Sequence, residues 1–320
     1  MSSAAAQLSC YSTSLVAYLL RYQPAVTGRM AAAIRLAVRT DLPGGQVAFS
    51  HHRRVDRHDG HELHYAGAAR PSEATAGVRA ELAAAGAVIV VANTSRLPWS
   101  PAYLRAATPH WLLLSNVRDD QFQLVDPLEA LLPHGEQAPF AGWVSQAELL
   151  RCMELPGGCA EHVARRDRLA LGAAVEVPDR ARWRWLRRGR AAAPAGGQDG
   201  DQHPDGGEWL LDTAAALRWL AGRLAGDAAA LDRCVDDLWA ASRHHVFRAG
   251  WLRDRGLLPA RHAGLAAARW AELPRALRFA ADSACRGRPR AGMVRTTLER
   301  LADVADDQPD HSTPLGRTHA

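Results

Sequence analysis

The chain contains no lysine, so all 39 of its Lys/Arg positions are arginine. That absence, with long alanine tracts, reads as codon bias in a GC-rich genome rather than as function. Cysteine is scarce and odd in number, five in 320 residues, which argues against a disulfide framework. Apolar runs such as 87–92 fall far short of the roughly 18 residues that span a bilayer, so no transmembrane helix is expected. A secretory leader is not expected either. The first basic residue is Arg21, and Cys10 lacks the hydrophobic stretch that precedes a lipoprotein cysteine. These absences together point to a cytoplasmic protein with reduced thiols.

What is present suits a globular chain. Hydrophobic residues make up 48% and charged residues 23%, enough to bury a core, and the length favours two domains. The net charge of +5 suits an acidic partner without reaching a nucleic-acid signature.

The first half mixes helical and strand patterns. Leu15, Val16, Leu19 and Leu20 lie on one helix face within residues 9–22, and Pro24 ends that helix. Residues 28–38 read as a second helix, stopped by the turn at 41–45, and 46–51 as a short strand before a polar loop. Residues 71–85 form a helix opening Pro-Ser-Glu and closing at Gly86. The run Ala87-Val-Ile-Val-Val-Ala92 is a buried strand, and 110–117 and 121–125 pair as a hairpin across Asp119-Asp120. A helix is expected over 145–153. Residues 180–190 (RARWRWLRRGR) hold six arginines and two tryptophans, and 191–207 read as a flexible linker. From Glu208 to Asp306 the pattern is helical, and the tail beyond is expected to be disordered. The domain reading is therefore 1–178 catalytic, 179–207 arginine–tryptophan segment and linker, 208–306 helical, 307–320 tail.

Three side chains in the first half stand in a suggestive order. Cys10 heads a helix, His110 opens a strand, and Asp126 ends the next strand. A thiol is a nucleophile as thiolate, and a helix N-terminus with an imidazolium lowers its pKa from about 8.5. The imidazole shuttles the proton, and a carboxylate on the adjacent strand fixes its tautomer. Singly, the cysteine reads as a small buried hydrophobe and the histidine as an ordinary strand-end residue. In combination the order is that of papain-like cysteine enzymes.

The motifs Cys10-Tyr-Ser-Thr-Ser-Leu15, Asn93-Thr-Ser-Arg-Leu97-Pro98-Trp99-Ser-Pro101-Ala-Tyr103, His110-Trp-Leu-Leu-Leu and Val125-Asp126-Pro127 resemble the butirosin biosynthesis protein H-like family. Ser242-Arg-His-His-Val-Phe-Arg248 and Trp251-Leu252 extend the resemblance into the helical half. The chain departs from the family pattern where Asn93 stands for an acidic residue and Ser115-Asn116-Val117 for a Gly-aromatic-Asp stretch. The resemblance implies an α+β papain-like acyltransferase of natural-product biosynthesis. Cys10 would accept an acyl group from an acyl carrier protein thioester, with His110 as base and Asp126 as its orienter. An amine or hydroxyl of a small-molecule intermediate would then receive the acyl group. Gln7 is an oxyanion candidate, alone or with backbone N–H groups of the helix start. Asn93, Trp99, Tyr103 and Trp111 are candidates for the substrate pocket. No cofactor, nucleic-acid or membrane partner is expected. The alternatives are a papain-like peptidase or amidase, which shares the Cys…His…Asp-Pro order, and a silent substrate- or peptide-binding module.

Other clusters carry weaker readings. His51, His52, His58, His61 and His64, with Asp56, Asp59 and Glu62, have the residue types of a metal site. Gly60 breaks the helix that would align three of the imidazoles, so a solvated polar loop is favoured and no metal is assigned. Cys152, Cys159 and His162 lack a fourth ligand. The arginine–tryptophan segment reads first as an amphipathic edge strand with buried indoles. Its second reading is a carrier-docking surface through Arg182, Arg184, Arg187 and Arg188, and nucleic-acid contact is a distant third. The tryptophans of the second half read as core anchors, and His244 and His245 first as helix residues that face water and second as lining of a substrate pocket between the domains.

Overall fold

The computed structural model describes residues 7–132, 135–191 and 204–306. It is an α+β protein in which every strand pairing is antiparallel. The chain forms two compact units, Met1–Thr27 with Arg53–Asp205, and Gly28–His52 with Gly206–Ala320.

The first unit is built on a six-stranded sheet ordered β3-β10-β4-β5-β6-β9. Its strands are β3 (His61–Ala68), β4 (Val88–Asn93), β5 (Pro109–Arg118), β6 (Gln121–Asp126), β9 (Phe140–Ser145) and β10 (Trp183–Arg190). All of β4 is buried because helices cover both sheet faces. Val88, Val90 and Ala92 pack with Val78 and Leu82 of α3 (Pro71–Ala85) and with Leu149 and Met153 of α4 (Gln146–Met153). On the other face lies α1 (Cys10–Leu19), buried from Tyr11 to Leu19, with the Tyr11 ring edge-on to Trp111 at 5.0 Å. A helix with no solvent face must satisfy its polar residues internally, and Ser14 Oγ donates to the Trp111 carbonyl at 2.8 Å.

Local chemistry sets the ends of these elements. Gly86 closes α3 in the left-handed region at φ 68°, where a side chain would be strained. Ser145 and Glu148 form a capping box on α4. Asp119 takes φ 53° in the β5–β6 turn, a conformation aspartate tolerates better than most residues.

The arginine–tryptophan segment is β10. It is an interior strand flanked by β3 and β4, not an edge, and the boundary at 178 falls before a strand that belongs to the first unit's sheet. Trp183 and Trp185 enter the core as the alternation predicts. A small two-stranded sheet, β7 (Ala130–Leu132) with β8 (Gly135–Gln137), and the helix α5 (Glu161–Leu169) complete the unit.

The second unit pairs β11 (Trp209–Leu210), β1 (Ile34–Arg39) and β2 (Ala48–His52) and adds α6 (Thr213–Ala225), α7 (Ala228–Asp254), α8 (Ala260–Cys285) and α9 (Ala291–Asp306). The helix expected over 28–38 is instead α2 (Val26–Ala33) running into β1, where Ile34, Leu36 and Val38 alternate with polar or small residues. Residues 28–52 thus belong with the helical unit rather than with the domain read as 1–178. Leu36, Val38 and Phe49 of the sheet join Leu217, Leu238, Trp270, Leu277 and Leu298 of the helices in one core. Trp270 anchors that core, whereas Trp209, Trp219, Trp239 and Trp251 are only partly buried. Most of the expected linker and the expected tail lie outside the described residues. No helix among the described residues is long and apolar enough to cross a membrane.

Candidate functional site

Cys10, His110 and Asp126 converge in the first unit. Cys10 is the first residue of α1, with Ser9 as an N-cap that makes no side-chain cap bond. The first main-chain bond of the helix runs from Thr13 N–H to Ser9 C=O at 2.8 Å. The N–H groups of the turn that starts with Cys10 therefore point out of the helix end, beside the sulfur, with the positive pole of the helix behind them.

His110 is buried on β5, and its Nε2 donates to Asp126 Oδ2 at 2.9 Å. That leaves Nδ1 free of the carboxylate, and the Cys10 sulfur is close enough to contribute to the imidazole's electrostatics. Burial by itself would lower the His110 pKa. The Asp126 carboxylate and the Cys10 sulfur outweigh it and hold the imidazole well above its ordinary 6.5, in the charged form.

Asp126 is the anchor. Burial pushes its pKa up, but His110 and the donors around it keep it below the usual carboxylate range. Oδ2 accepts from His110, from Trp99 Nε1 at 3.0 Å and from Gln137 Nε2 at 2.8 Å, while Oδ1 accepts from Leu128 N–H at 3.2 Å. Trp99 is fixed in turn by a parallel stack on Phe140, with ring centroids 4.0 Å apart. Gln137 on β8 is a residue that sequence reasoning missed, because nothing in its local pattern links it to a strand eleven residues earlier.

A second buried network starts one residue from the thiol. Tyr11 Oη donates to Asp167 Oδ1 at 2.8 Å, Arg184 pairs with Asp167 Oδ2 at 2.9 Å, and Tyr65 Oη donates to the Asp167 carbonyl at 3.0 Å. Burial raises the pKa of Asp167 against the lowering influence of Arg184. Burial, then the Asp167 charge, raise those of Tyr11 and Tyr65.

The remaining candidates separate. Trp99 is half-buried and braces Asp126. Trp111 is fully buried in the core under α1, and its interior strand position gives it no solvent-facing surface. Asn93 is buried and committed, accepting from Ser95 N–H at 3.1 Å and donating to the Glu154 carbonyl at 3.1 Å. Tyr103 and Gln7 are exposed, Gln7 three residues before Cys10. Of the docking candidates, Arg187 is exposed, Arg182 pairs with Glu154, and Arg188 lies over the Tyr22 ring at 4.4 Å. Arg184 is half-buried and its charge is paired with Asp167.

The histidine-rich stretch is not a solvated loop. Arg54 pairs with Asp56 at 2.7 Å and Glu62 at 3.4 Å in a buried cluster, with Arg57 at 2.8 Å from Glu62. Among the described residues no three His, Cys, Asp or Glu side chains are placed to hold a metal ion. His244 and His245 are interior rather than solvent-facing, His245 stacked on Trp270 at 4.0 Å and His244 edge-on to His51 at 5.5 Å. Compared with known proteins, the chain matches no family model and no curated protein.

Proposed function

We propose that the first unit is a papain-like cysteine acyltransferase. The observation that carries this reading is the single imidazole hydrogen-bonded to a buried, four-donor carboxylate and in electrostatic reach of a thiol at a helix N-terminus. In the first step the Cys10 sulfur attacks the carbonyl carbon of a carrier-protein thioester. The negative charge that develops on the carbonyl oxygen falls where the first-turn N–H groups of α1 can receive it. Collapse expels the carrier thiolate, which takes the proton held by His110, and leaves the acyl group on Cys10. An amine, or a hydroxyl, then attacks the acyl-enzyme and gives its proton to His110. The Cys10 thiolate departs, and the products are an amide or ester and the free carrier thiol. Asp126 stabilises the imidazolium at both stages and holds the tautomer with Nε2–H toward itself.

The reading is tested by incubating the full chain with a panel of acyl carrier protein thioesters and measuring intact mass. An acyl adduct that forms on the protein and is absent in Cys10→Ala supports it. No adduct from any thioester, with the carrier thioester intact, overturns it. Release of free acid without an acceptor amine moves the assignment to hydrolysis by the same residues.

A further inference from the structure

A cavity of about 1040 Å³ opens in the first unit on the side of β10 away from the tryptophans, and neither Cys10 nor His110 lines it. Six arginines and two carboxylates stand on its wall. Arg182 is paired with Glu154, and Arg184 with Asp167, which lies behind the wall. Four arginines remain, Arg96, Arg105, Arg168 and Arg180, opposed only by Asp179, and among the described residues none of the four makes an ion pair.

Four uncompensated guanidinium groups around one concavity repel one another, and an arrangement of this kind is stabilised by an anion that they share. Guanidinium forks match the oxygens of phosphate in bidentate fashion. The volume is at the upper end of small-molecule sites and far exceeds a bare ion. The loop after α4 brings Gly157 and Gly158 to the same wall, each with open space where a side chain would stand, so a ligand can reach the main chain there.

We propose that this cavity binds an organic phosphate carrying two or more negative charges. The site is separate from Cys10 and does not depend on the acyl-transfer reading. The phosphate arrives on a free small molecule, either a nucleotide or a phosphomonoester such as free phosphopantetheine, and the test distinguishes them. A carrier-bound phosphopantetheine arm is a phosphodiester with a single negative charge and falls outside the proposal.

Cys159 lies on the cavity wall and is exposed, so its alkylation reports occupancy. The full chain is treated with iodoacetamide at low salt, with and without millimolar pyrophosphate, ADP, phosphopantetheine or citrate, and Cys159 modification is followed by peptide mass. At least one of the three phosphate compounds should slow the reaction about tenfold, equally in Cys10→Ala. ADP protecting better identifies a nucleotide, and phosphopantetheine protecting better a pantetheine-type phosphomonoester. The double variant Arg105→Ser/Arg168→Ser should keep the ligand-free alkylation rate and lose the protection by roughly tenfold or more. The proposal is overturned if no phosphate compound protects, if the double variant is protected as well as the parent, or if citrate protects as strongly as the phosphates.

Discussion

At the scale of single residues, Asp126 carries the heaviest demand. Burial alone would raise the pKa of a carboxylate with almost no solvent access, yet four donors converge on it and its pKa is lowered. Asp126→Asn keeps the shape but replaces an acceptor by an amide that can present N–H to Nε2, favouring the wrong tautomer. Its acylation rate is expected to fall by a factor on the order of 10³–10⁴, with thioester affinity little changed, as read in single-turnover assays. The pH profile should change as well. His110 is held above 6.5 mainly by Asp126 once burial is overcome, so the alkaline limb of acylation lies above 6.5 in the parent and moves to lower pH in Asp126→Asn. An unmoved limb would show that Asp126 does not set the imidazole's charge. Cys10, His110 and Asp126 were legible in sequence because helix start, strand start and strand end are each marked by local pattern. The braces on Asp126 were not, since the Trp99 indole and the Gln137 amide reach it from separate loops and strands.

At the scale of elements, two close fits between partners are informative. Pro274 sits inside α8 and has no N–H, so the Trp270 carbonyl four residues earlier loses its helical donor. Ser242 of α7 supplies the missing bond, with Oγ 2.5 Å from that oxygen. Ser242→Ala leaves a buried carbonyl unpaired and should cost about 1–3 kcal/mol in urea denaturation. Restoring the main-chain donor with Pro274→Ala should cancel most of that cost in the double variant, and strict additivity would refute the compensation. The second fit is between α3 and β10. A Cβ at Gly77 would overlap the Trp185 indole, so Gly77→Ala should destabilise by about 1–3 kcal/mol although alanine is the better helix former by about 1 kcal/mol. A stabilised Gly77→Ala protein would mean that the indole moves aside freely.

These elements also show where local pattern stops informing. Strands β4, β5 and β6 and the helices α3 and α4 are written in contiguous runs and their caps. The alternation in β10 revealed which side chains enter the core. It could not reveal that the strand is interior, because its neighbours begin about 95 and 120 residues earlier in the chain. In 28–38 a helical and an alternating pattern overlap, and the strand reading wins only through pairing of β1 with β2 and with the distant β11.

At the scale of the whole molecule, the two units carry buried histidines of opposite character, and this fixes how each responds to acid. In the second unit, burial first, then the neighbouring imidazoles and Arg243 or Arg248, hold His244 and His245 well below 6.5 and neutral. The unfolded chain binds protons at these positions near 6.5 while the folded unit does not. Stability of that unit is therefore full above 6.5 and is lost as pH falls below it. In the first unit the signs reverse. His110 and Asp167 both have raised pKa values, so the folded unit keeps protons that the unfolded chain has released. The His110 contribution is fully present below 6.5 and is lost as pH rises through its raised folded value. The Asp167 contribution is likewise greatest at low pH. Between pH 7 and 5, hydrogen-exchange protection factors in α7 and α8 are expected to fall, while those in β4, β5 and β6 hold or rise. His244→Phe, which fills the same interior with an uncharged ring, should flatten the pH dependence of the helices and leave that of the strands unchanged. Parallel loss of protection in both units, in parent and variant alike, would mean that the buried imidazoles do not govern the acid response.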